Sequence, residues 1–103
     1  MSREEVSQLV GKWVTDPEDV QSRREYGHVT MDFGADGRLR YIIHAEGEDQ
    51  VLLLTYEIRE GVLITDQPSA PHEEATPFSF TPDGKLVLHY EGRRSTYVRE
   101  GSQ

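Results

Sequence analysis

The chain has 103 residues, a net charge of −8, no cysteine and 35% hydrophobic residues. Its length fits a single domain, 1–103, with one modest core, and the missing cysteines exclude disulfides, thiolate metal sites and a thiol nucleophile. The acidic balance repels phosphate backbones and anionic bilayers, so neither nucleic acid nor a membrane is expected as a partner.

Ser2-Arg-Glu-Glu5 has the spacing of a capping box, with Val6, Leu9 and Val10 on one stripe behind it. That predicts a short N-terminal helix ending near Gly11, and the start lacks the apolar stretch of a signal peptide. A cytoplasmic protein is expected. Lys12–Thr15 opens the first strand and carries Trp13, the sole tryptophan. Asp16 to Glu25 is polar and poorly periodic, which predicts a loop with room for a helical turn.

Val29 to Ile43 is the most informative stretch. Two alternating runs flank a turn with Asp36-Gly37 at its tip, a strong hairpin signal. Counting outward from Gly34 opposite Arg38 pairs Phe33 with Leu39, Met31 with Tyr41 and Val29 with Ile43 on an apolar face. The other face pairs Asp32 with Arg40 and His28 with His44. A sheet packed on one side is implied.

Glu46 to Asp49 turns the chain into a fourth strand, Val51 to Ile58, whose apolar start predicts burial on both faces. Glu60-Gly61 makes a tight turn and Val62–Thr65 returns. From Asp66 to Pro77 three prolines and no alternation predict a crossing loop or irregular edge. Phe80-Thr-Pro-Asp-Gly-Lys-Leu86 then repeats the first turn's spacing, pairing Phe78 with Leu88, and a last strand runs through Thr96, Tyr97 and Val98 to Arg99. Gly37 and Gly84 are the positions where positive φ is required. About eight short strands with mostly tight turns predict an all-β, up-and-down antiparallel barrel; a two-layer sandwich is the competing architecture.

Gly11-Lys12-Trp13, placed after a short helix at the start of strand one, resembles the Gly-X-Trp motif of the lipocalin-like (calycin) barrels. The resemblance implies that Trp13 packs at a closed end of the barrel with Arg99 lying across its ring. Separately, an interior lined by apolar side chains and tyrosine hydroxyls points to a non-enzymatic protein that binds a small apolar or amphipathic ligand inside. This chain is shorter than a secreted lipocalin and has no disulfides.

In a meander the strands alternate in direction, so Phe33, Leu39 and Tyr56 fall nearer the Trp13 end. Val29 and Ile43 then point to the open one. A ligand is therefore expected among Val29, Met31, Tyr41 and Ile43, with Tyr41 as hydrogen-bond donor and Tyr56 contributing at the floor. The alternative is a side-chain-filled barrel acting as an interaction or inhibitor module, because eight strands leave little interior room. No cofactor is expected. His28 and His44 lack a third ligand in register, and His72 with Glu73 and Glu74 lacks a supporting nucleophile, Ser69 sitting between prolines. The oligomeric state is open, a homodimer included.

Overall fold

Eight antiparallel strands follow one another around a closed barrel in sequence order, with the last strand returning to the first. The structure is a computed structural model and describes residues 3–90 and 92–100. The strands are β1 (Gly11–Thr15), β2 (His28–Phe33), β3 (Arg38–His44), β4 (Gln50–Arg59), β5 (Val62–Asp66), β6 (Glu74–Phe80), β7 (Leu86–Tyr90) and β8 (Arg93–Arg99). Two short helices accompany them, α1 (Arg3–Leu9) and α2 (Val20–Tyr26). The up-and-down topology removes the sandwich alternative. The capping box at Ser2 and the turn residue Glu91 lie outside the described residues.

The first hairpin has the register that counting from its turn predicts, from Phe33 opposite Leu39 to His28 opposite His44. Gly34 N donates to Arg38 O at 2.8 Å, and Gly37 closes the turn at φ 83°. The second hairpin repeats this: Thr81 N donates to Lys85 O at 2.8 Å, Gly84 sits at φ 87°, and Phe80 faces Leu86. At Glu60-Gly61 both residues take positive φ, 48° and 77°, the conformation that matches a two-residue turn to the twist of its strands.

Strand pairing fixes which side chains face inward. Trp13 lies opposite Met31 on one side and Arg99 on the other, and Thr15 lies opposite Tyr97. The inward series continues through Val29, Phe33, Leu39, Ile58, Leu63, Leu86 and Leu88, all buried and forming one cluster with Leu9 of α1. Because α1 leads into the start of β1, it covers the Trp13 end of the barrel. The connection α2, between the end of β1 and the start of β2, lies at the opposite end.

Three local expectations are corrected. The run Val51–Leu54 is buried on neither outer position: Val51 is 47% and Leu53 64% exposed, while Leu52 and Leu54 face inward and are half-buried. Nothing in the described chain packs over that outer wall. The polar stretch after Asp16 forms a two-turn helix, because the Asp19 carboxylate caps it by accepting from Ser22 N at 3.2 Å. The Asp66–Pro77 segment is a loop only over 67–73, and β6 begins at Glu74. Pro77 fits inside β6 for a specific reason. Phe78 N points toward β5, donating to Gly61 O at 3.2 Å, so the donor that Pro77 lacks would point toward β7. The β6–β7 ladder starts only at Phe78.

A candidate ligand cavity at the side of the barrel

The Trp13 end is sealed. The Trp13 indole is 1% exposed and its Nε1 donates to Leu9 O at 2.8 Å. Arg99 lies over the ring with its guanidinium carbon 4.5 Å from the centroid, and the same guanidinium donates to the carbonyls of Val10, at 2.8 Å, and Gln8. The helix C-terminus, the indole and the last strand are thereby tied together. Phe33 and Tyr56 complete this end, ring edge to face at a centroid distance of 5.0 Å. The Tyr56 hydroxyl donates to Gly34 O at 2.6 Å, and burial, followed by the nearby Asp36 carboxylate, pushes its pKa up.

The other half of the barrel is not filled. β4 is ten residues long, but its first half pairs only with β3, because β5 ends at Asp66 opposite Thr55. Beyond that point the 67–73 loop replaces a strand, and a cavity of about 300 Å³ opens between the loop and Leu52 and Leu54 of β4. Its deep wall is Met31, Leu39, Leu63 and Leu88, all buried. Half-buried Tyr41, Thr65 and Tyr90 form its middle, with Thr76 buried beside them, and Asp66, Gln67, His72 and Glu74 form its rim. The rim is ordered by its own polar contacts. Asp66 Oδ1 accepts from His72 N at 2.9 Å, and His72 Nε2 lies 3.1 Å from Glu74 Oε1.

The structure thus brings Met31 and Tyr41 together on the cavity wall and does not bring the other expected ligand residues there. Val29 is 1% exposed within the packed core, and Ile43 packs against that core without lining the cavity. Tyr56 belongs to the sealed end. Sequence reading missed Leu52, Thr65, Thr76 and Tyr90. The alternation Leu63-x-Thr65 and Thr76-x-Phe78 carried that signal, since it sets Thr65 and Thr76 on the same face as core residues.

The far end is held by α2. Ser22 Oγ donates to Ser95 Oγ at 3.0 Å, and Asp19 Oδ2 accepts from Thr96 N at 2.9 Å. Partial burial pushes the Asp19 carboxyl up, but hydrogen bonds from Thr96 and Ser22 and the charge of Arg94 outweigh it and hold the pKa below 3.8. Lys85 reaches back to the Asp16 carboxylate at 2.9 Å, linking the second hairpin to the same segment.

Two other sites were candidates. On the outer wall His28 and His44 are neighbours with ring centroids 5.1 Å apart. His44 places one ring nitrogen 2.8 Å from Thr30 Oγ1 and the other 3.2 Å from Asp49 Oδ2. Among the described residues no group of three metal-ligating side chains is assembled. A larger outer depression of about 580 Å³ lies between the first hairpin and Pro68. It is lined by Asp32, Asp36, Arg38 and Arg40 and meets the ligand cavity at Leu39 and Leu54. Ser69, in the loop, is exposed and its Oγ accepts from Gln67 Nε2 at 3.4 Å.

No helix among the described residues is long and apolar enough to cross a membrane. No family model, curated protein or solved structure matches the chain.

Proposed function

We propose that the protein is a non-enzymatic, lipocalin-like carrier that holds one small amphipathic molecule in the cavity between β4, the 67–73 loop and β7. The observation that carries this reading is the unequal filling of the barrel. Large rings pack one end solid, while the half beyond Thr55 keeps about 300 Å³ with an apolar floor and a polar rim. At roughly 30 Å³ per water-sized group, that space admits about ten non-hydrogen atoms. Apolar walls with a few polar groups at one end are the usual composition of a small-molecule site. The Gly11-Lys12-Trp13 motif and the Arg99 stacking support the lipocalin-like assignment.

Nile red, a neutral solvatochromic dye, tests the reading when titrated against the wild type and Thr65→Trp. Thr65 lines the cavity and is half-buried, so an indole there fills the space without entering the packed core. Saturable, blue-shifted emission with the wild type and none with a folded Thr65→Trp is the expected result. Equal binding by both proteins would favour the interaction-module reading, for which exposed Val51 and Leu53 supply a surface.

A further inference from the structure

We infer that the cavity prefers an amphiphile with a cationic headgroup over a neutral one, and rejects a carboxylate. The inference rests on the ligand-carrier reading above and specifies the chemistry of its ligand. Among the described residues that line the cavity, Asp66 and Glu74 carry negative charge and no lysine or arginine is present. Arg93, which stands opposite Tyr90, is exposed and outside the lining.

The placement of charge along the cavity decides the matter. An alkyl chain seated against Met31, Leu63 and Leu88 has its head at the rim, where Asp66 and Glu74 stand on either side of His72. A carboxylate there meets two like charges, with His72 between them and no lysine or arginine in the lining. A trimethylammonium meets two opposite charges, and Tyr41 and Tyr90 line the wall just below it. The net charge of −8 adds a long-range field of the same sign, raising the local concentration of cations at the mouth.

Three ligands with one tail separate these contributions: octyltrimethylammonium, octanol and octanoate, each competing with Nile red. The two exposed rim charges together are worth about 1 kcal/mol, so octyltrimethylammonium is expected to displace the dye about fivefold more tightly than octanol. Octanoate should be weaker than octanol. Salt should narrow the spread, and tetramethylammonium alone should not compete. Glu74→Gln keeps the shape of an exposed rim residue and removes its charge, so it should cut the preference for octyltrimethylammonium over octanol to about twofold. Octanoate matching octyltrimethylammonium, or a Glu74→Gln protein with its preference intact, would overturn the inference. If none of the three displaces the dye, the carrier reading falls first and the preference with it.

Discussion

Arg99 lies across Trp13 at 4.5 Å, and Gly11 is what lets it do so. A Cβ built on Gly11 would come within 2.5 Å of the Arg99 guanidinium, and Gly11 itself sits at φ 125°. The three positions act as one closure, in which the glycine admits the cation, the cation covers the indole, and the indole hydrogen-bonds the helix end. Trp13→Ala is expected to cost about 3–5 kcal/mol through the cavity it leaves. Arg99→Ala also removes the hydrogen bonds to the Gln8 and Val10 carbonyls, which water can replace, at about 0.5–1.5 kcal/mol. A double-mutant cycle from denaturant melts should give a coupling of about 0.5–2 kcal/mol. Zero coupling would remove the physical basis of the lipocalin-like assignment.

The two Asp-Gly turns allow a cleaner measurement of backbone strain. A Cβ on Gly84 meets nothing within 4 Å, whereas one on Gly37 comes to 3.8 Å from Tyr56 O, an ordinary contact. Both residues are at positive φ, so Gly84→Ala and Gly37→Ala should each cost about 1–2 kcal/mol from conformation alone. Chemical unfolding of the two variants should therefore give similar losses. A neutral Gly84→Ala would contradict the turn geometry.

These turns also show why part of the fold was legible and part was not. Asp-Gly between two alternating runs fixes strand direction, register and facing together, so every pair of the first hairpin follows from one turn. The run Val51–Leu54 gives no such anchor, because continuous apolar residues carry no period. Its outward members are exposed simply because no layer covers a barrel's outer wall there. In the 66–77 segment the prolines masked β6, whose tolerance of Pro77 depends on where the β7 ladder begins. The α2 signal was present in the Asp19 cap and in Gly27 after the helix, yet its own stripe is too polar to stand out. The cavity's position and volume were not legible, although Met31 and Tyr41 of its wall were. The cavity is a remainder of volume created by the offset between β4 and β5, and no short motif encodes that.

Acid should loosen the α2 end before the Trp13 end. Asp19 has a folded pKa below its ordinary 3.8, so its contribution is fully present above that value and is lost as pH falls through the lower, folded pKa. Removing the cap by Asp19→Ala should cost about 0.5–2 kcal/mol at neutral pH and flatten the acid limb of stability against pH. Amide exchange should show Ser22 and Thr96, the two donors to Asp19, losing protection together. An acid limb unchanged in Asp19→Ala would show that other carboxylates govern it.

Tyr56 separates structural from ligand-facing roles among the tyrosines. Its hydroxyl donates to Gly34 O at 2.6 Å on the sealed side, far enough inside that the residue is 8% exposed and absent from the cavity lining. Tyr56→Phe leaves the ring edge against Phe33 and removes only that hydrogen bond, which should cost about 0.5–1.5 kcal/mol. Nile red affinity should be unchanged. Tyr41→Ala, which strips a ring from the middle wall, should instead weaken binding of both octyltrimethylammonium and octanol. Alkaline titration gives an independent check, since Tyr56 has a raised folded pKa. It stabilises the fold below the ordinary phenol value of 10.0, and that contribution is lost as pH rises through the higher folded value. The late part of the ultraviolet titration should therefore be smaller by one phenol in Tyr56→Phe than in the wild type. Loss of dye binding in Tyr56→Phe would move the ligand to the Trp13 end.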